Sequence, residues 1–187
     1  MKTDLGKFDN SWFRPGRPVL IQVLWYLTNG LFFINPVFPF SGLKIFLLRL
    51  FGAKIGRGVV IKPGVNIKYP WRLCLGDNCW IGEKVWIDNL AEVSIGPHVC
   101  ISQGAFLLTG NHNYKKPAFD LITGAIRLDE GVWIGAKAVV CPGVTCHTHA
   151  VLSVGSVATK SLDACGIYQG NPAIKIRERI FDPSENE

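Results

Sequence analysis

At 187 residues the chain suits one domain with an appendage and is long enough for a real core. Its 48% hydrophobic content and mean hydropathy of +0.22 are high for a soluble protein, and point to a repeat core buried in an oligomer or to membrane contact. Only the pI of 9.1 favours a nucleic-acid partner; no recognised nucleic-acid motif and no P-loop accompany it, so that class is set aside.

The charge is unevenly placed. Residues 1–72 hold eleven Lys/Arg against two Asp/Glu, and the remainder nine against twelve. A basic, apolar N-terminal part suits an anionic surface or a phosphorylated partner; the plainer reading is a solvated basic face. The six cysteines (Cys74, Cys79, Cys100, Cys141, Cys146 and Cys165) include no CxxC pair and no Cys/His spacing of a zinc site. Several stand at aliphatic positions of the repeat described below. They read as reduced, small hydrophobes of a cytoplasmic protein.

Residues 1–18 are polar and irregular, with Pro15-Gly16 and Pro18 as breakers. Residues 18–43 carry no charge, a length that could span a bilayer. Thr28-Asn29-Gly30, Asn35-Pro36 and Pro39 would interrupt one continuous helix. Cations flank the stretch on both sides, so no inside-outside asymmetry is present, and no small-residue cleavage site marks a signal peptide. Spanning a membrane, lying on one and packing against the domain or a neighbouring subunit all remain open. Ser41 is placed to cap a helix over 42–51, with Leu43, Phe46, Leu47 and Leu50 on one face and Lys44 and Arg49 elsewhere.

At Ile55 the pattern changes to a period of six. Ile55, Ile61 and Ile67 begin successive sixes. After a shift of two come Leu75, Ile81 and Ile87; after another, Ile95, Ile101 and Leu107. The count restarts at Leu128 and runs through Ile134, Val140, Cys146, Leu152 and Ala158. Four residues after the aliphatic position stands a small or β-branched one, such as Val65, Ala105, Ala138 or Ser156. A period of six fits neither an α-helix nor a hairpin sheet and is the signature of a parallel β-helix. The glycine beside many of the aliphatic residues is expected to serve a corner where a side chain or a negative φ would be strained. Between Leu107 and Leu128 the repeat is interrupted by Thr109-Gly110-Asn111-His112-Asn113-Tyr114.

These residues resemble the hexapeptide-repeat acyltransferases, most closely the branch of galactoside, maltose and nodulation-factor acetyltransferases and the colanic-acid-type polysaccharide acetyltransferases. The resemblance rests on Gly110-Asn111-His112, Val132-Trp133-Ile134-Gly135-Ala136, Pro142-Gly143-Val144 and Gly155-Ser156-Val157, and runs from Phe51-Gly52-Ala53 to Gly170-Asn171-Pro172-Ala173. It implies an all-β chain: a left-handed parallel β-helix over residues 55–180, with an N-terminal basic, apolar segment over 1–54 containing a short helix. An active-site loop is inserted at about 108–127 and a mobile tail follows over 181–187. It also implies a homotrimer with active sites between subunits, acetyl-CoA as donor, no metal, and a sugar or lipid-linked sugar as acceptor.

Carried over by position, His112 matches the catalytic histidine, and Asp88 falls where relatives hold an acceptor-contacting Asn. Asn111 and Tyr114, beside His112, are further acceptor candidates. Trp133, Gly135, Ala136, Ser153 and Val154 match positions along the donor's pantetheine arm, and Thr159 and Lys160 match the adenosine end. Two departures stand out: Cys146-His147-Thr148-His149, and Leu152-Ser153-Val154-Gly155 in place of the usual glycine-rich approach.

The chemistry agrees with this assignment. An alcohol attacking a thioester must lose its proton, and a histidine with an ordinary pKa of about 6.5 can take it at cell pH. Lys160, Lys175, Arg177 and Arg179 cluster near the C-terminus as candidate contacts for the donor's phosphates, or form a solvated basic tail. His147 and His149 have a His-x-His spacing without a further ligand nearby and read as surface residues. A zinc lyase sharing the fold would need three converging histidines. An N-acetyltransferase acting on an amino sugar and a non-catalytic β-helix scaffold are the remaining alternatives.

Overall fold

The computed structural model describes residues 2–182; the tail over 183–187 lies outside the described residues. The repeat folds into five triangular coils of short strands. Coil one holds β1 (Lys54–Ile55), β2 (Val60–Ile61) and β3 (Asn66–Ile67), and coil two β4 (Leu73–Leu75), β5 (Trp80–Ile81) and β6 (Trp86–Asp88). Coil three holds β7 (Val93–Ile95), β8 (Cys100–Ile101) and β9 (Phe106–Leu108). A hairpin of β10 (Gly110–His112) and β11 (Leu121–Thr123) follows. Coil four is β12 (Ile126–Leu128), β13 (Trp133–Ile134) and β14 (Val139–Val140); coil five is β15 (Thr145–Cys146), β16 (Val151–Leu152) and β17 (Val157–Ala158). The chain closes with β18 (Gly166–Gly170) and the antiparallel β19 (Ala173–Glu178).

Strands from successive coils pair in parallel to make three faces: β1-β4-β7-β12-β15, β2-β5-β8-β13-β16-β18 with β19 at its edge, and β3-β6-β9-β14-β17. The register puts each aliphatic position directly on its equivalent: Ile61 on Ile81, Ile101, Ile134 and Leu152, and Ile67 on Ile87, Leu107, Val140 and Ala158. These residues are buried, as are the small residues of the corners, from Val65 to Ser156. The structure is thus the expected β-helix. All six cysteines are free, and burial pushes the Cys146 thiol up to about 12, as befits a core position.

Of the two reasons expected for the glycines, the strain on a side chain holds and the strain on a negative φ does not. Gly76, Gly82, Gly96 and Gly135 do not have positive φ. A Cβ on Gly82 would lie 2.6 Å from Gln103 N, and one on Gly135 2.6 Å from Val154 N. Close stacking of the next coil, not backbone conformation, demands glycine there. The left-handed φ falls two residues further on, at Asn78, Lys84, His98, Lys137 and His149 and at Gly58, Gly104 and Gly131.

The shifts of two in the repeat all fall at one edge. Coils one and two each take their extra residues at the corner between the third and first faces, in the 3-10 turn Pro70–Arg72 and around the buried Asn89. The hairpin leaves the third coil at the same corner.

The N-terminal segment caps the first coil. It comprises α1 (Val19–Thr28), a π-helical turn (Asn29–Ile34) and α2 (Ser41–Leu50). Thr28-Asn29-Gly30 does not break the helix but widens it, because Asn29 turns inward to donate to Asn66 Oδ1 (2.7 Å) and to accept from Ile67 N (3.4 Å). Two further expectations are corrected. Ser41 makes no helix cap; its hydroxyl accepts from Ile61 N at 2.9 Å. Lys44 is fully buried beside Leu48, with Nζ donating to Lys62 O at 3.0 Å, whereas Leu43, Phe46 and Leu50 face outward.

The reason is the open edge of coil one, whose backbone groups have no coil beyond them to pair with. Cap side chains answer all three faces: Arg49 donates to Ile55 O and Gly56 O, Ser41 and Lys44 serve the second strand, and Trp25 Nε1 donates to Ile67 O at 2.8 Å. Phe33 and Phe51 pack on Trp25, with ring centroids 5.2 and 5.1 Å away.

Candidate active site

The hairpin is rooted in coil two. Buried Thr109 donates from Oγ1 to Asp88 O (2.7 Å) and accepts there from Ala91 N (3.0 Å). Gly110 follows, where a Cβ would meet Leu90 Cδ1 at 2.5 Å. Strands β10 and β11 then pair antiparallel, with Asn111 opposite Ile122 and His112 opposite Leu121.

His112 is half-buried and braced on several sides. Its Nδ1 lies 2.8 Å from Phe119 O. A carbonyl can only accept, so Nδ1 carries the hydrogen and Nε2 is left as the acceptor of the neutral ring. The Phe119 ring stacks on the imidazole at 4.5 Å and 8°, and Phe8 of the N-terminal segment approaches at 5.7 Å. Phe119 has a φ of +54°, a left-handed conformation that costs an L-residue energy and turns its carbonyl to the imidazole. Asn113 N donates to Asp120 O, Lys116 pairs with Asp120 at 3.0 Å, and Asp4 N donates to Pro117 O.

The acceptor candidates lie on and beside this hairpin. Asn111 uses Oδ1 to accept from His112 N at 2.8 Å, and Tyr114 is largely exposed. Asp88 ends β6 and is 8% exposed. Lys68 Nζ sits 3.0 Å from its Oδ1 but off the hydrogen-bonding directions, so the charge is countered while that buried oxygen makes no hydrogen bond. On the same face Trp86 stacks on Phe106 at 4.6 Å and 15°.

The donor candidates converge elsewhere, in a groove of about 500 Å³ along the second face. Trp133, Gly135, Ala136, Ser153, Val154 and Arg177 all line it. Trp133 is held by a 2.9 Å bond from Nε1 to Ser102 Oγ. Arg179, named with the C-terminal cluster, also lines the groove, as do Ser102, Gln103 and Ile167, which were not singled out from sequence. Ser102 had a signal: it follows Ile101 where the repeat commonly has glycine, which frees a side chain to reach Trp133. Arg179 donates to Gly131 O at 3.1 Å and lies over Phe181.

Thr159 and Lys160 do not line this groove; they follow β17 on the third face and are exposed. Lys175 is engaged by Glu178 (2.8 Å) and Asp163 (3.7 Å), which removes it from the free cations of the C-terminal cluster. His147 lies 3.2 Å from Asp129, and His149 packs on Phe181. His112 is likewise outside the groove walls, so one chain holds the candidate base and the candidate donor groove on different surfaces.

No family model matches the chain. It is 41% identical over 168 residues to the colanic acid biosynthesis acetyltransferase WcaF of Escherichia coli, an alignment covering 90% of this chain and 92% of that protein. Among solved structures it superposes on a hexapeptide-repeat-containing acetyltransferase from Vibrio cholerae with a TM-score of 0.76 and 23% identity, covering 88% of this chain and 95% of that one. It also superposes on a galactoside acetyltransferase in complex with coenzyme A, with a TM-score of 0.74 and 21% identity over 86% and 82% of the two chains. The V. cholerae protein has also been solved with acetyl-CoA. The stacked hexapeptide coils, the inserted histidine hairpin and the near full-length identity to WcaF identify the chain as a member of the hexapeptide-repeat acetyltransferases, a family of acetyl-CoA-dependent enzymes.

Proposed function

We propose that this protein moves an acetyl group from acetyl-CoA to a sugar hydroxyl, with His112 as general base. The observation that carries this reading is the 2.8 Å contact between His112 Nδ1 and Phe119 O, which reserves Nε2 for the acceptor's proton. As the acceptor oxygen bonds to the thioester carbon its proton passes to Nε2. The carbon–sulfur bond then breaks, and the coenzyme A thiolate leaves with that proton.

Asp88, Asn111 and Tyr114 are assigned to the acceptor. Trp133 and the backbone of Gly135, Ala136, Ser153 and Val154 are assigned to the pantetheine arm. Gly135 supports this, because close stacking leaves its surface bare of side chain. Arg177 serves the phosphates. Since the base and the groove lie on different surfaces of one chain, the reading needs a second copy to complete each site, and a homotrimer supplies it. Thr159 and Lys160 then reach the adenosine end from the neighbouring copy. The similarity to a colanic acid biosynthesis acetyltransferase favours an acceptor of exopolysaccharide or lipid-linked oligosaccharide synthesis.

The test is acetyl-CoA turnover against a panel of sugars and lipid-linked sugars, wild type beside His112→Ala. Turnover on one acceptor should fall roughly 10²–10⁴-fold in the variant while coenzyme A binding is retained. Equal rates in the two proteins would remove His112 from the mechanism.

A further inference from the structure

We infer that the outer face of the N-terminal cap docks on an anionic lipid bilayer. The inner side of the cap, formed by Trp25, Phe33, Lys44 and Leu48, is buried against coil one. The outer side is also apolar. Leu20, Leu27 and Leu31 are 69, 54 and 62% exposed, and Phe46 and Leu50 of α2 are 59 and 67% exposed. A solvent-facing helix carries polar residues outward; here Gln22 and Thr28 are half-buried while the leucines face out.

Charge decides what covers this face. Residues 10–76 contain nine Lys/Arg and no Asp/Glu. Arg14, Arg17, Arg49, Lys54 and Arg57 are exposed around the helix ends, with Arg17 reaching Gly52 and Arg49 bonded to Gly56 O. A second copy set face to face on this surface would bring cation against cation. A layer of lipid phosphates answers every one. Length decides the mode. Even with the π-helical turn that continues it, α1 runs only from Val19 to Ile34, about 24 Å at most against the roughly 30 Å hydrocarbon core, and no helix among the described residues is long and apolar enough to cross a membrane. The cap therefore lies in the interface, as amphipathic helices with basic flanks do.

Docking also orients the molecule. Val19, Val23 and Tyr26 of α1 form one wall of a cleft of about 470 Å³, and Lys68, Tyr69 and Trp86 line the other, two residues from Asp88. The acceptor candidate Asp88 thus lies beside a cleft walled by the docked helix; this corollary rests on the acetyl-transfer reading, whereas docking itself does not.

The test is flotation of the full chain with vesicles of phosphatidylcholine alone or with about 30% phosphatidylglycerol, alongside molar-mass and melting measurements. The wild type should float with the anionic vesicles and lose partitioning at high salt. Leu20→Glu/Leu27→Glu and Phe46→Glu/Leu50→Glu should lose it at least tenfold without change in molar mass. Arg14→Glu/Arg17→Glu, which leaves the apolar face intact, should lose roughly thirtyfold or more, since each of the two cations lost near the surface contributes about 1 kcal/mol. Absence of wild-type flotation with the anionic vesicles overturns the proposal. So does a change in molar mass in the leucine variants with flotation unaltered, which would give the face to a second copy.

Discussion

The five coils and the cap solve the same problem in opposite ways. Inside the coils, backbone groups pair with the equivalent groups of the next coil, and each inward position repeats its neighbour: Ile61, Ile81, Ile101, Ile134. In the cap no two contacts are alike. An indole, a carboxamide, a hydroxyl and an ammonium each answer one backbone group of the first coil, and a guanidinium answers two. Repetition suffices while there is a further coil to stack on; finishing the stack takes unique side chains. The hairpin is a second departure from repetition, and it carries the histidine.

Substitutions can break or sharpen this contrast. The largest effect is expected inside the coils. Ile101→Ala should cost about 2–5 kcal/mol in denaturant unfolding, because the layers above and below cannot collapse into the space. Leu27→Ala on the cap's outer face should stay within about 0.5 kcal/mol in the absence of lipid. Equal costs would mean that the outer face is packed in solution.

Two glycines give an intermediate effect and separate two causes. Gly135→Ala drives a Cβ to 2.6 Å from Val154 N and should cost about 1–3 kcal/mol. Gly143 has a φ of +79° and nothing within 4 Å of its Cβ position. Gly143→Asn should therefore cost about 0.5 kcal/mol or less, as asparagine enters the left-handed region readily. Melting temperatures of the two variants would show whether stacking or conformation sets the demand for glycine.

The smallest effect is a pH slope. Burial lowers the pKa of Lys44. Between that lowered value and the ordinary lysine value of about 10.4, the unfolded chain binds a proton that the native chain does not, so stability rises with pH across this window. Below it both states are protonated and the cost of burying the charge is present in full. Lys44→Met should abolish this rise, read as the difference between variant and wild type in urea unfolding at several alkaline pH values. A slope that persists would place the titration in another group.

The contrast also explains what the sequence made legible. The rows of Ile, Leu and Val repeat locally, so period alone located the strands and the interruption at His112. The shifts of two were visible as numbers, but not their stacking at one corner with the hairpin. Ser41 and Lys44 were misread because their partners, Ile61 N and Lys62 O, lie across an irregular contact that no period encodes. Nothing in Phe119 announced a left-handed φ, a conformation usually marked by Gly or Asn, so the brace on His112 was invisible. The glycines were found with two reasons left side by side, since a sequence shows a missing side chain without showing what would have struck it; the structure keeps the steric one and drops the backbone one.

The closure of the first coil has a consequence beyond the single chain. A bare coil end presents three in-line parallel strand edges, and parallel strand edges stacked without limit are the geometry of a fibril. At the opposite end β19 reverses direction across β18, so the second face offers no parallel template there. The cap is thus a terminator of polymerisation as well as a part of the fold, and Arg49, Ser41, Lys44, Asn29 and Trp25 are the side chains that stop one molecule from becoming the next molecule's sixth coil.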